Sequence, residues 1–142
     1  MTLRPETVRE RLALVRSNLD ALSATASLPR DRFLADRKEQ WAAAYGLQIT
    51  AQALLDAGAH ILSGRFKEAP KEYGEIVPQL TRRGVMDSLL GGRLAKVSGF
   101  RNILVHEYGV VDFALVHEKL HQLDDLVAFA SALEGWLTRE GL

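Results

Sequence analysis

Residues 111–137 read VDFALVHEKLHQLDDLVAFASALEGWL. Within them Phe113, Val116, Leu120, Leu123, Val127, Ala130, Leu133 and Leu137 recur every three or four positions. That spacing lays one apolar stripe along an α-helix, which must bury against another element. Asp112 is a suitable N-cap, because its carboxylate can accept from the first free backbone N–H groups. One continuous helix is therefore expected from Asp112 to Leu137.

The same period runs upstream. Val8, Leu12, Val15, Leu19 and Leu22 mark a helix from Glu6 to about Leu22. A second helix opens at Ser27 or Pro29 and is carried by Phe33, Leu34, Trp41, Ala44, Tyr45, Ile49, Ala53 and Leu54 to about Leu62. It spans about 34 residues, or ~50 Å. Gly46 and Gly58 fall inside it, each costing about 1 kcal/mol relative to Ala unless close packing compensates, and Gly64 is its expected stop. Polar residues with Pro70 and Gly74 form a loop over 65–75. A short helix follows from about Tyr73 to Arg83, ended by Gly84. Another runs from Asp87, as N-cap, to Tyr108 and stops at Gly109. β-Branched clusters are scarce. The expected fold is all-α, an up-and-down bundle of four long helices plus a short one.

Composition sets the boundaries of function. At 142 residues the chain suits one domain, residues 1–142, with a single core. Eighteen Lys and Arg balance eighteen Asp and Glu, which excludes a polybasic coat for nucleic acid but not a local basic patch. There is no cysteine, hence no disulfide framework, thiol nucleophile or Cys-ligated metal. No apolar run reaches the roughly 18 residues of a membrane span, and Met1 to Glu6 is too charged for a signal peptide. A cytoplasmic protein away from the membrane is expected. Charge is unevenly placed: Arg82, Arg83, Arg93, Lys96 and Arg101 face only Asp87 over 82–101, net +4, whereas 107–142 carries net −5. These are either two solvated helix faces or, for the basic stretch, a surface for a phosphate backbone, with Arg93 and Lys96 as candidate substrate contacts.

Chemistry concentrates in Arg101-Asn102-Ile103-Leu104-Val105-His106-Glu107-Tyr108, an Arg-x4-His-x-Tyr pattern. His106 titrates near neutrality and can move a proton at an RNA 2′-hydroxyl or a leaving 5′-oxygen. Arg101 can fork onto phosphate oxygens and offset charge developing there. With the 2′-hydroxyl as nucleophile, such chemistry needs no metal. On a straight helix Arg101 and Tyr108 share a face, but His106 lies about 140° away from Arg101. Either the helix loosens near Gly109, or two copies of the chain build one groove. The structural alternative is a His capping a helix end and an Arg paired with a neighbouring acid.

Residues 94–108, LAKVSGFRNILVHEY, resemble the signature of HEPN-domain proteins, specifically the HepT-like toxins. Asn102 directly after Arg101, and Asp112 a few residues on, also match. So do the segment from Tyr73 to Val85 and the Gln48 to Leu62 helix with Asp56 and His60. The resemblance implies a homodimeric helical bundle acting as a metal-independent endoribonuclease without a cofactor. It further implies the toxin half of a two-gene toxin–antitoxin system, whose antitoxin is a minimal nucleotidyltransferase. Carried over, Arg101 and His106 are the catalytic pair, Asn102 is a polar site position, and Tyr108 is the residue onto which the partner transfers AMP. Asp56 is a weaker candidate, equally explained as a structural partner of Arg101. The alternative within the family is a noncatalytic dimer that binds a nucleotidyltransferase or nucleic acid.

A competing pattern is His117-Glu118-Lys119-Leu120-His121. H-E-x-x-H puts two His on one helix face at the spacing of a zinc site, but Glu134, the obvious third ligand, lies on the same expected helix, so no metal site is expected. Trp41 and Trp136 are expected as core or dimer-interface anchors, and Tyr45 and Tyr73 likewise. His60 is expected on the surface or in a core polar contact. Gly91, Gly92 and Gly99 would permit close helix approach or mark local flexibility. No glycine-rich phosphate loop is present, which argues against a self-contained NTPase or dehydrogenase.

Overall fold

The computed structural model describes residues 2–101 and 111–142. Among them every regular element is helical: α1 (Pro5–Ala26), α2 (Arg30–Ala35), α3 (Arg37–Phe66), a 3₁₀ turn (Tyr73–Glu75) leading into α4 (Ile76–Arg82), α5 (Ser88–Leu94), α6 (Ser98–Arg101), α7 (Phe113–Leu120) and α8 (Leu123–Arg139). The all-α bundle expected from the periodicity is present. α3 is its central strut and packs against α1, α2, α4, α6, α7 and α8. It can do so because small residues, Ala43, Ala44, Thr50, Ala51, Ala57 and Gly58, are buried between Leu47, Leu54, Leu55, Ile61 and Leu62, allowing neighbours to approach from several sides.

Three expected helices are divided. The long second helix breaks at Asp36, whose backbone is extended and whose carboxylate accepts from the N–H groups of Lys38 and Glu39 at 3.0 and 3.2 Å. Asp36-Arg37-Lys38-Glu39 has the spacing of a capping box, so the break was written in the sequence. α2 is thereby set off as a short strap. Its one buried side chain, Phe33, enters the core, and Gln40 Nε2 donates to the Phe33 carbonyl at 3.0 Å.

The helix from Asp87 starts as expected, with Leu90 N–H donating to Asp87 at 2.7 Å. It ends at Leu94, and three-residue turns follow: Val97 N–H to Leu94 O, Gly99 N–H to Lys96 O and Phe100 N–H to Val97 O, at 2.9–3.0 Å. The rest of that expected helix, with the possible loosening near Gly109, falls at 102–110, outside the described residues.

The last helix is capped by Asp112, which accepts from Ala114 and Leu115, but it breaks at His121 and Gln122. Each half ends with charges suited to its dipole. His117 and Lys119 occupy the last turn of α7, and Asp124 and Asp125 the first turn of α8, where cations and anions respectively are favoured. The break shifts the buried stripe by one position: Leu126 is fully buried, whereas Val127 is 37% exposed.

Gly64 is not a stop. α3 continues to Phe66 and closes on Lys67 in the left-handed conformation (φ 57°). Gly64 instead admits the N-terminal segment, since a Cβ there would lie 2.6 Å from Leu3 Cα. Gly58 has the same use toward α4: an added Cβ would meet Leu80 and Ile76 at 2.9 and 3.0 Å. Trp136 is buried, but Trp41 and Tyr45 are each 60% exposed on α3, which removes them from the core.

Candidate active site

α6 lies against α3, anchored by buried Phe100. Arg101, its last described residue, is half-buried and reaches across to α3. There Arg101 Nε donates to Gln52 Oε1 at 2.5 Å, and the guanidinium carbon sits 4.0 Å from the centroid of the Tyr73 ring. The Gln52 amide nitrogen in turn donates to Asp56 Oδ1 and to the Tyr73 hydroxyl, both at 2.8 Å. Gln52 and Asp56, one turn apart, bring their polar groups together on one side of α3. The 3₁₀ turn delivers Tyr73, and the close approach of α4 to Gly58 sets that turn beside α3. The result is one connected cluster, Arg101–Gln52–Asp56–Tyr73, drawn from three elements.

A cavity of about 260 Å³ borders the cluster, lined by Asp56, Ala59, Pro70, Lys71, Glu72, Tyr73 and Ile76. Arg101 is not among the lining residues, which include the carboxylates of Asp56 and Glu72 beside Lys71. The cluster itself offers a guanidinium fixed by a hydrogen bond and a ring contact, a group able to bind an anion. Asp56 thus joins Arg101 through the Gln52 amide. Gln52 was not singled out from the sequence, and Tyr73 was read as a packing residue. The signal available was the Gln52-x3-Asp56 pair on a helix whose neighbouring positions 51, 54, 55, 57 and 58 are all buried.

The other candidates stand elsewhere. Arg93, on α5, is turned toward α8, where Nε pairs with Asp125 at 2.7 Å and Nη2 donates to the Asp124 carbonyl at 3.3 Å. Lys96 is exposed in the turn between α5 and α6. Asn102, His106 and Tyr108 lie outside the described residues.

The H-E-x-x-H histidines touch each other, with ring centroids 4.6 Å apart. His121 Nδ1 donates to the His117 carbonyl at 2.9 Å. The His117 ring packs on Phe33, and its Nε2 is buried without a hydrogen-bond partner among the described residues. Burial, then the charges of His121 and Arg30, hold its pKa below the ordinary 6.5. Glu134 is tied to Arg16 at 2.9 Å, and among the described residues no three His, Asp or Glu side chains are grouped to hold a metal. His60 accepts from the Arg4 backbone N–H at 3.0 Å; burial and the nearby Arg11 and Arg4 lower its pKa too.

Comparison with known proteins decides the lineage. The family model described as ribonuclease HepT-like matches residues 15–133. The chain belongs to the HepT-like family. A relative in this family, the tRNA nuclease HepT of Aphanizomenon flos-aquae (strain 2012/KM1/D3), is 30% identical over 110 residues, covering 78% of this chain and 75% of the relative. In fold the chain is similar to a tri-AMPylated Shewanella oneidensis HEPN toxin solved in complex with its MNT antitoxin, with a TM-score of 0.78 and 21% identity over 91% of this chain and 97% of that one. It is equally similar to the cytosolic protein YutE of Bacillus subtilis, of unknown function, with a TM-score of 0.79 and 20% identity over 97% of this chain and 93% of that one. The match spans α3, the 3₁₀ turn and α6, so the Arg101 cluster lies within the HepT-like region. Among the described residues no helix is long and apolar enough to cross a membrane.

Proposed function

We propose that this chain is the toxin of a toxin–antitoxin pair, a metal-independent endoribonuclease in which Arg101 and His106 are the catalytic residues. The observation that carries the reading is the Arg101 cluster. A half-buried guanidinium, bonded through Nε and stacked on Tyr73, meets the requirement for a preorganised cation at a scissile phosphate. In the proposed reaction His106 takes the proton of an RNA 2′-hydroxyl, whose oxygen forms a bond to the adjacent phosphorus. The P–O5′ bond breaks, the leaving 5′-oxygen takes a proton from a solvent water, and His106 returns the proton it took to solvent. The products are a 2′,3′-cyclic phosphate and a 5′-hydroxyl. Arg101 offsets the charge that grows on the phosphoryl oxygens.

Asn102, Arg93 and Lys96 extend the contact along the RNA backbone. A homodimer completes the groove, and the exposed Trp41 and Tyr45, one turn apart on α3, are apolar anchors of the kind that protein interfaces use. A nucleotidyltransferase antitoxin would silence the site by placing AMP on Tyr108, setting a second phosphate against the cation meant for RNA. The tRNA nuclease named among the relatives and the AMPylated HEPN toxin with its MNT antitoxin support this assignment. The deciding experiment is RNA cleavage in EDTA by wild type and His106→Ala, with intact mass checked for added AMP. Cleavage that vanishes in the variant upholds the proposal. Equal cleavage by both refutes it, and no cleavage by unmodified protein over a tRNA panel favours the binding-only alternative.

A further inference from the structure

Arg101 follows a run of three-residue turns on α6, and its long side chain has many rotamers to lose on being fixed. Two of its contacts reach the guanidinium from outside α6. We propose that Gln52 and Tyr73 are positioning residues that set the plane and rotation of the Arg101 guanidinium for phosphate. This rests on the reading of Arg101 as catalytic.

Two contacts orient the group. Gln52 Oε1 takes the Nε–H in the guanidinium plane, which stops the group from spinning about its long axis. The Tyr73 ring covers one face at 4.0 Å, which stops it from tilting and adds cation–π attraction. Gln52 is itself locked. Both hydrogens of its amide nitrogen are spent, on Asp56 and on the Tyr73 hydroxyl, so the oxygen has to face Arg101. A flipped amide would set donor against donor and lose both of those bonds. Asp56 thus acts two steps away, by fixing the amide that fixes the cation.

A purely structural tie between α3, α6 and the 3₁₀ turn would have the same contacts but different kinetics. The test is steady-state cleavage of a short RNA by the full chain, with the melting temperature of each variant measured alongside. Gln52→Met keeps length and removes both polar functions; Tyr73→Leu removes the ring face. Each is expected to lower kcat at least tenfold while KM stays within threefold. Gln52→Glu restores an acceptor for Nε, and Tyr73→Phe keeps the face; each is expected to recover most of the loss. As a second readout, the Arg101 Nε–H resonance, slowly exchanging in wild type, should move and exchange faster in Gln52→Met.

Wild-type rates in Gln52→Met and Tyr73→Leu, alongside an inactive Arg101→Ala, would overturn the positioning role and leave the nuclease reading intact. So would losses that track melting temperature and disappear on cooling the assay. If Gln52→Met or Tyr73→Leu does not fold, Gln52→Ala and Tyr73→Ala take their places, read by kcat and by the Nε–H signal. Wild-type kcat with an unchanged Nε–H signal in Gln52→Ala would then overturn the role. Full activity in Arg101→Ala would remove the reading on which the proposal stands.

Discussion

Leu126 and Val127 are adjacent, apolar and on the same helix, yet the break at His121–Gln122 gives them opposite fates. Leu126 is fully buried and Val127 is 37% exposed. Leu126→Ala removes three carbons, about 2.4 kcal/mol at ~0.8 kcal/mol per buried methylene. A partly relaxed cavity brings the total to about 3 kcal/mol. Val127→Ala removes two carbons from a site already a third open, about 1 kcal/mol. Alanine's better helix propensity returns about 0.5, so the net loss is about 0.5 kcal/mol. The difference of about 2.5 kcal/mol is a large share of the 5–15 kcal/mol that usually holds a domain together. Urea unfolding followed by circular dichroism measures both, provided the slope with denaturant is unchanged. A Val127 variant losing as much as the Leu126 variant, or more, would refute the divided helix, because a continuous stripe from Phe113 puts Val127 inside.

Four further outcomes follow from described contacts. Asp36→Ala should cost about 1 kcal/mol by removing the α3 cap, and Asp36→Asn, which keeps the acceptor, much less; thermal melts compare them. Gly64→Val should destabilise by roughly 1–3 kcal/mol, since its branched side chain collides with the Leu3 backbone, and deleting Thr2 and Leu3 should abolish most of that penalty. His117 and His60 are harder to protonate folded than unfolded. Stability should therefore be full above pH 6.5, fall as the pH drops below it, and fall less in His117→Gln or His60→Gln, read by urea midpoints across that range. Asp125→Asn should release Arg93 from its 2.7 Å pair and tighten RNA binding a few-fold at low salt, an effect that added salt suppresses.

Where a stripe ran unbroken, as in α1, the fold was legible. Val8, Leu12, Val15, Leu19 and Leu22 were read as the buried face of α1, and all five are buried. Asp87 and Asp112 were read as caps and serve as caps. Interruptions were harder to see, because a single extended residue at Asp36, or one turn at His121, hardly disturbs a three-to-four spacing. Each left a chemical mark instead: Asp36 with Glu39, and cations before anions across 117–125. Gly64 misled because a glycine that ends a helix and a glycine that admits a neighbouring chain look alike until the neighbour is placed. In the candidate site, Arg101 was singled out by its motif. Its supports were not, since Gln52 and Tyr73 lie 49 and 28 positions away and only tertiary packing unites them.

The strap formed by α2 carries one more consequence. Its six residues bury one ring fully, Phe33, with Leu34 partly buried beside it and Gln40 clasping the Phe33 carbonyl, a small anchorage that can open while the bundle stays closed. Arg30, Arg32, Arg37 and Lys38 crowd that stretch. Trypsin should find it early, at a rate set by this local opening rather than by global unfolding. The nicked chain would keep α1 on α3 through their shared apolar face. Proteolytic vulnerability and thermodynamic stability are thus uncoupled at α2.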